Sequence, residues 1–195
     1  MQNRSIFVST AASLVLVVTA GCASHRSDTS SRVTHRDKTA KGAAIGGAVG
    51  AGVGAYMDAQ EERLARIPGT HVERVDNNTL LVRFDSDILF QPDSARLGPA
   101  AQGTVEEVAS VLGEYRKTAV VVQGHTDSIG PANHNMNLSQ RRAETVSGAL
   151  VAHGVAPQRM IATGYGETMP VATNSSERGR QLNRRVEILL KARAT

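Results

Sequence analysis

Two side chains in the carboxyl-terminal half of the sequence could together hold a charged ligand: Asp127 and Arg142. Asp127 lies in Gly124-His125-Thr126-Asp127-Ser128-Ile129-Gly130, directly after the apolar run Thr118 to Gly124. In an α/β sheet, the loop beyond a strand's carboxyl end, facing a helix amino terminus, is the usual place for a ligand. Read as a helix, Leu138 to His153 puts Arg142 on the apolar stripe of Leu138, Val146 and Leu150 and rotates Arg141 by about 100° toward solvent. A guanidinium on an apolar stripe needs a partner. Asp127 could be that partner in a structural ion pair. Alternatively, Arg142 could take the carboxylate and Asp127 the ammonium of a zwitterionic ligand, and the residues by themselves leave both open. A metal hydrolase built on His125, Asp127 and His134 is a rival reading, because residues two apart on a strand share a face. That spacing is loose and no nearby Glu is an evident general base, so no metal, cofactor or catalysis is expected, and His125 is expected as a structural residue at a strand end.

The elements that must position these groups follow from periodicity. His71 to Val75 and Thr79 to Phe84 straddle Asp76-Asn77-Asn78 and read as strands either side of a turn, with Leu80, Val82 and Phe84 on one face. Pro99 to Tyr115 reads as a helix with Val105, Val108, Ala109 and Leu112 on one stripe. Thr118 to Gly124 suits a strand buried on both faces. A helix opening at Asn137-Leu138 and closed by Gly154, a strand from Met160 to Tyr165, a short helix from Ser175 to Leu182 and a last strand from Arg185 to Leu190 complete the pattern. Alternating strands and helices predict an α/β (α+β) domain: a mixed sheet of about four strands, two long helices and one short one, over residues 77–195.

Composition narrows the classes. The 195 residues carry 22 Lys and Arg against 18 Asp and Glu, a formal charge of +4. The basic residues are dispersed and only three Tyr and three Phe could stack on bases, which argues against nucleic acid as a partner. A single Cys can form no internal disulfide, and no pair of CxxC motifs offers a structural zinc.

That Cys has a different use. Residues 1–21 have a basic start with Arg4, an uncharged apolar run from Ile6 to Val18 and the small residues Thr19-Ala20-Gly21 before Cys22, the pattern of an export signal. The stretch resembles a bacterial lipoprotein lipobox, which implies covalent lipidation of Cys22 with acyl chains such as palmitate. Ala23 at the next position implies sorting to the outer membrane. Residues 22–41, rich in Ser, Thr, Arg and Asp, are expected as a disordered tether. In the uncharged segment 42–57, Gly42, Gly46, Gly50 and Gly54 recur every fourth residue, a ridge along which a second helix backbone could approach. Its six glycines would each cost a lone helix about 1 kcal/mol in water, so it needs a partner or a membrane. At about 24 Å it is short for a single span. The segment resembles the glycine zippers of some outer-membrane lipoproteins, and a flexible Gly/Ala linker is the alternative. Residues 58–76 are expected as a connector, helical to Ile67 and ended by Pro68-Gly69.

Spaced motifs over residues 79 to 190 carry a family resemblance: Gly124-His125-Thr126-Asp127, Gly130, Asn135-x-x-Leu138-Ser139-x-x-Arg142-Ala143, Gly154-Val155, Gly164-Tyr165-Gly166-Glu167-x-x-Pro170, Asn174, Gly179-Arg180 and Asn183-Arg184-Arg185-Val186-Glu187. Together they resemble the OmpA-like peptidoglycan-binding domain. With its lipobox and glycine zipper the whole chain is similar to outer-membrane lipoproteins of the YiaD type, and the domain alone to Pal. The resemblance implies noncovalent binding of the meso-diaminopimelate of the peptidoglycan stem peptide. It assigns Asp127 to the ligand's amino group, Arg142 to its carboxylate, and Asn135 and Arg184 to flanking polar contacts. Adjacent strand residues face opposite sides, so at most one of Arg184 and Arg185 should reach the site. The expected function is a lipid-anchored tether on the periplasmic face of the outer membrane. The alternative is a membrane-structural or assembly-factor lipoprotein that self-associates through its zipper, with a passive carboxyl domain.

Overall fold

Strict alternation of apolar residues builds the sheet. In the computed structural model, which describes residues 52–193, Leu80, Val82 and Phe84, then Val120 and Val122, then Val186, Ile188 and Leu190 are all essentially inaccessible. They form one face of a five-stranded sheet made of β1 (His71–Asp76), β2 (Thr79–Asp85), β3 (Thr118–Gly124), β4 (Met160–Gly164) and β5 (Arg185–Ala192), in the order β1-β2-β5-β3-β4. Only β3 and β4 pair in parallel; every other neighbour is antiparallel. The fifth strand is β1, expected as a strand over His71 to Val75 but left outside the domain bounds of 77–195 and the count of about four. On the other face Val121 and Gln123 are only half-buried, so β3 is not covered on both sides as its continuous apolar run suggests.

The apolar face is covered by α1 (Gly52–Leu64), the single turn α2 (Ser86–Leu89), α3 (Pro99–Glu114) and α4 (Ala132–Ala152). A 3-10 turn at Pro157–Arg159 precedes β4, and a short helix α5 (Glu177–Asn183) precedes β5. The stripe Val105, Val108, Ala109 and Leu112 of α3 is buried as its spacing predicts. Buried Arg159 ties the end of α3 to the start of β3, donating to the carbonyl oxygens of Leu112, Tyr115 and Thr118. The end of the glycine-rich segment and the start of the connector are likewise part of this body: on α1, Met57 of the first and Gln60 and Leu64 of the second are fully buried, and the rings of Tyr56 and Tyr115 meet edge to face at 5.2 Å.

Helix α4 begins at Ala132, not at Asn137-Leu138. Asn and His are weak helix formers whose side chains compete for the backbone, which makes Ala132 to Asn137 read as a loop. The chain nevertheless turns helical directly after Pro131, whose fixed φ of −68° suits a helix entry. The expected signal peptide over 1–21, Cys22, the tether over 22–41 and Gly42, Gly46 and Gly50 lie outside the described residues. Gly54 lies on α1, where a β-carbon would meet nothing within 4 Å.

Candidate functional site

The strand β3 ends at Gly124, and the next three residues, His125, Thr126 and Asp127, are buried. They are fixed by main-chain bonds from the His125 N–H to the Arg185 carbonyl and from the Thr126 N–H to the Gly166 carbonyl. Gly124 and Gly164, at the ends of the parallel strands, lie directly against the backbone of α4. A β-carbon on Gly124 would overlap the Ser139 carbonyl, and one on Gly164 would overlap the Gln140 main chain. Glycine at both positions therefore sets α4 close to the sheet and brings its first two turns over the loop that carries Asp127.

Beside that loop opens a cavity of about 570 Å³. Asp127, Asn135, Arg142 and Arg184, the four residues singled out from the sequence, all line it. Because α4 starts early, Asn135, Leu138 and Arg142 share one buried helix face. Arg142 is 4% exposed and Arg141 is exposed, as the helix stripe predicts.

Asp127 and Arg142 are not bonded to each other. Asp127 accepts the Ile129 N–H on Oδ1 at 3.0 Å and an Arg184 Nη1 donor on Oδ2 at 2.8 Å. Arg184 is the hub of the charged rim. It forms a two-pronged pair with Asp87, at 3.2 and 2.9 Å, and reaches Glu177 at 3.2 Å. The hydrogen bonds it donates to Asp87 and Asp127 outweigh burial and raise its pKa further above an already high value. Arg142 donates from Nε to the Ser94 carbonyl at 2.9 Å, and its guanidinium carbon stands 5.1 Å from the centroid of the Phe90 ring. Burial lowers its pKa, opposed by the charges of Asp87 and Asp93. Its two terminal nitrogens have no hydrogen-bond partner among the described residues. The site thus offers an unclaimed guanidinium edge on one side and a cluster of carboxylates on the other, an arrangement able to read both charges of a zwitterion.

Asp87, Glu177 and the loop that carries Phe90 and Ser94 were not found from the sequence. The only local signal for the first is a short acidic run, Asp85-Ser86-Asp87, at the end of a predicted strand. Arg184 and Arg185 diverge as predicted: Arg185 points away from the cavity and pairs with Glu187 at 2.8 Å. His125 is also on that side, its ring stacked on Tyr165 with centroids 5.4 Å apart and Nε2 3.6 Å from Glu187. His134 contacts Asp93 at 2.7 Å. The rival metal set is therefore not assembled, and no group of three His, Cys, Asp or Glu among the described residues is placed to hold a metal.

Comparison with known proteins gives a consistent result. Residues 89–184 match the OmpA family and residues 1–70 match the YMGG-like Gly-zipper. The chain is 48% identical over 114 residues to "Outer membrane porin F" of Pseudomonas fluorescens, covering 58% of this chain and 35% of that protein. It is 47% identical over 138 residues to "Probable lipoprotein YiaD" of Escherichia coli K12, covering 69% of this chain and 63% of that protein. It therefore spans less than two thirds of the length of either relative. Among solved structures, the cell wall anchor of the T6SS from Pseudomonas aeruginosa superposes with a TM-score of 0.58 at 32% identity, over 72% of this chain and 97% of that one.

Proposed function

We propose, from the premise that this chain belongs to the OmpA family, that it is a lipoprotein of the outer membrane that grips peptidoglycan noncovalently and ties the membrane to the cell wall. The relatives described as outer-membrane proteins, as a lipoprotein and as a cell wall anchor support the setting. The observation that carries the reading is the charge layout of the cavity: Asp127 and Arg142 line it together without being bonded to each other, and the terminal nitrogens of Arg142 have no partner. The free end of meso-diaminopimelate carries an ammonium and a carboxylate on one carbon. In the proposed grip Arg142 forms a two-pronged bond with that carboxylate, and Asp127 accepts from the ammonium. Asn135 and Arg184 flank them. No bond is made or broken, and the protein works as an anchor rather than an enzyme.

Arg184 has a second part in this scheme. In the empty site it neutralises Asp127, and when the ligand ammonium arrives it still holds Asp87 and Glu177. Exchange of one cation for another at Asp127 then leaves no carboxylate stranded. Sedimentation with purified sacculi tests the reading. Wild-type protein is expected in the pellet and Asp127→Ala in the supernatant; co-sedimentation of Asp127→Ala at the wild-type level would overturn it.

A further inference from the structure

Asn135 is 3% exposed, and its amide nitrogen serves two acceptors: the Asp127 carbonyl oxygen at 3.3 Å and a Glu167 carboxylate oxygen at 2.7 Å. A carbonyl and an ionised carboxylate can only accept, so chemistry dictates that the NH2 end of the amide faces them. Its oxygen is thereby turned toward Gly130, where a β-carbon would stand 3.9 Å from it, and no donor among the described residues bonds to it. Gly130 and Asn135 both line the cavity. An unpartnered acceptor on a largely buried side chain is thus presented to the place where the ligand is proposed to bind.

The geometry points to Glu167 as a positioning residue: it locks the Asn135 amide with its oxygen toward the cavity, so that Asn135 takes an N–H of the ligand and rejects a ligand that offers an acceptor there. This rests on the proposed grip and names the group that sets its donor preference. The turn carrying Glu167 is built to hold it still. The Tyr165 N–H donates to the Gly124 carbonyl, the Gly166 N–H to the Ser139 hydroxyl at 2.8 Å, and the Gly166 carbonyl accepts from Thr126. Gly166, at φ +54°, lies against the main chain of Met136, a spot where a β-carbon would come within 3.1 Å of the Met136 nitrogen. One turn therefore fixes both Glu167 and the helix start that carries Asn135. Without the carboxylate, the amide can rotate half a turn and present N–H groups to an incoming ammonium.

The test is calorimetric titration of the full chain in detergent with a soluble diaminopimelate-containing stem peptide, alongside thermal melts. Glu167→Met keeps the side chain's length and removes the acceptor, and it is expected to weaken binding about tenfold. Glu167→Gln retains an oxygen for the Asn135 amide and is expected to bind within about twofold of wild type. In an Asn135→Ala background, Glu167→Met should cost nothing further, a result that a merely structural role would not give. Wild-type affinity in Glu167→Met, an equal loss in both backgrounds, or a loss in Glu167→Gln as large as in Glu167→Met would overturn the inference. Asp127→Ala in the same titration separates the two levels. If it binds normally the grip itself fails, and if it loses binding while Glu167→Met does not, only the role of Glu167 fails.

Discussion

Arg142 uses one nitrogen on the Ser94 carbonyl and leaves a fork of two directed at the cavity, so its charge and its shape can be tested apart. Arg142→Ala and Asp127→Ala are expected to lower affinity for a diaminopimelate stem peptide at least tenfold in calorimetry. Arg142→Lys should bind nearly as poorly, because a point charge cannot reproduce two parallel bonds. Arg141→Ala, on the exposed side of the same helix, should bind like wild type. Stability separates the two sites of charge. Asp127→Ala leaves Arg184 with Asp87 and Glu177 and should cost about 1 kcal/mol or less in a urea melt, far below the loss expected from stranding a buried charge. Glu187, across the sheet, behaves differently. Burial pushes its carboxyl up, but His125, Arg185 and Arg83 outweigh that and hold it down to about 2. A carboxyl depressed in the folded state stabilises fully above its unfolded pKa, 4.5, and the contribution is lost as pH falls toward about 2. Denaturation midpoints should therefore drop between about pH 4.5 and 2 by more in wild type than in Glu187→Gln. Parallel curves for the two proteins would show that Glu187 contributes nothing to the acid limb.

Glycines at the ends of β3 and β4 are what let α4 deliver Asn135 and Arg142 to the loop of Asp127. Gly124→Ala must push α4 away from the sheet, and we expect it to cost about 1–3 kcal/mol in urea denaturation and to weaken ligand binding together with stability. A wild-type melt for this variant would mean that α4 has room to yield. The same elements show what the sequence could convey. Leu80, Val82 and Phe84 mark β2 by alternation and the apolar run Thr118 to Gly124 marks β3, both local signals, although the run hides that only one face of β3 is fully covered. Asp127 and Arg142 were legible for the same reason, one at a strand end and one on a helix stripe. Helix α4's first turn was hidden because Asn133, His134, Asn135 and Asn137 have poor intrinsic propensity, and here tertiary contact overrides it. Helix α1 is hard to place for a related reason: its apolar stripe is weak, and only the docking of Met57 and Leu64 shows it to be part of the body. Asp87 escaped notice altogether, since its partner Arg184 is 97 positions away and no spacing rule reaches that far.

Three separable parts are proposed for the molecule as a whole: a lipidation site at Cys22, a glycine-rich zipper segment, and the described body with its cavity. No helix among the described residues is long and apolar enough to cross a membrane. Gly54, the last glycine of the expected zipper, has an open surface on α1, leaving room for another backbone to approach. Replacing Gly46 and Gly50 by Leu should abolish crosslinked oligomers and leave stem-peptide affinity unchanged; unchanged oligomers would favour a plain linker. Lipid and cavity should be separable in the same way. Each buried methylene contributes about 0.8 kcal/mol, so two or more acyl chains on Cys22 would hold a protein on a membrane almost permanently, whereas the proposed contacts of the cavity with the wall would be reversible. Cys22→Ser is therefore expected to leave the membrane fraction and still sediment with sacculi, and Asp127→Ala to stay with the membrane and fail to sediment with them. The double variant should appear in the soluble fraction of both assays. Retention of Cys22→Ser on membranes stripped of peptidoglycan, or an unmodified Cys22 in the mass spectrum of the mature protein, would mean that another part of the chain makes the attachment.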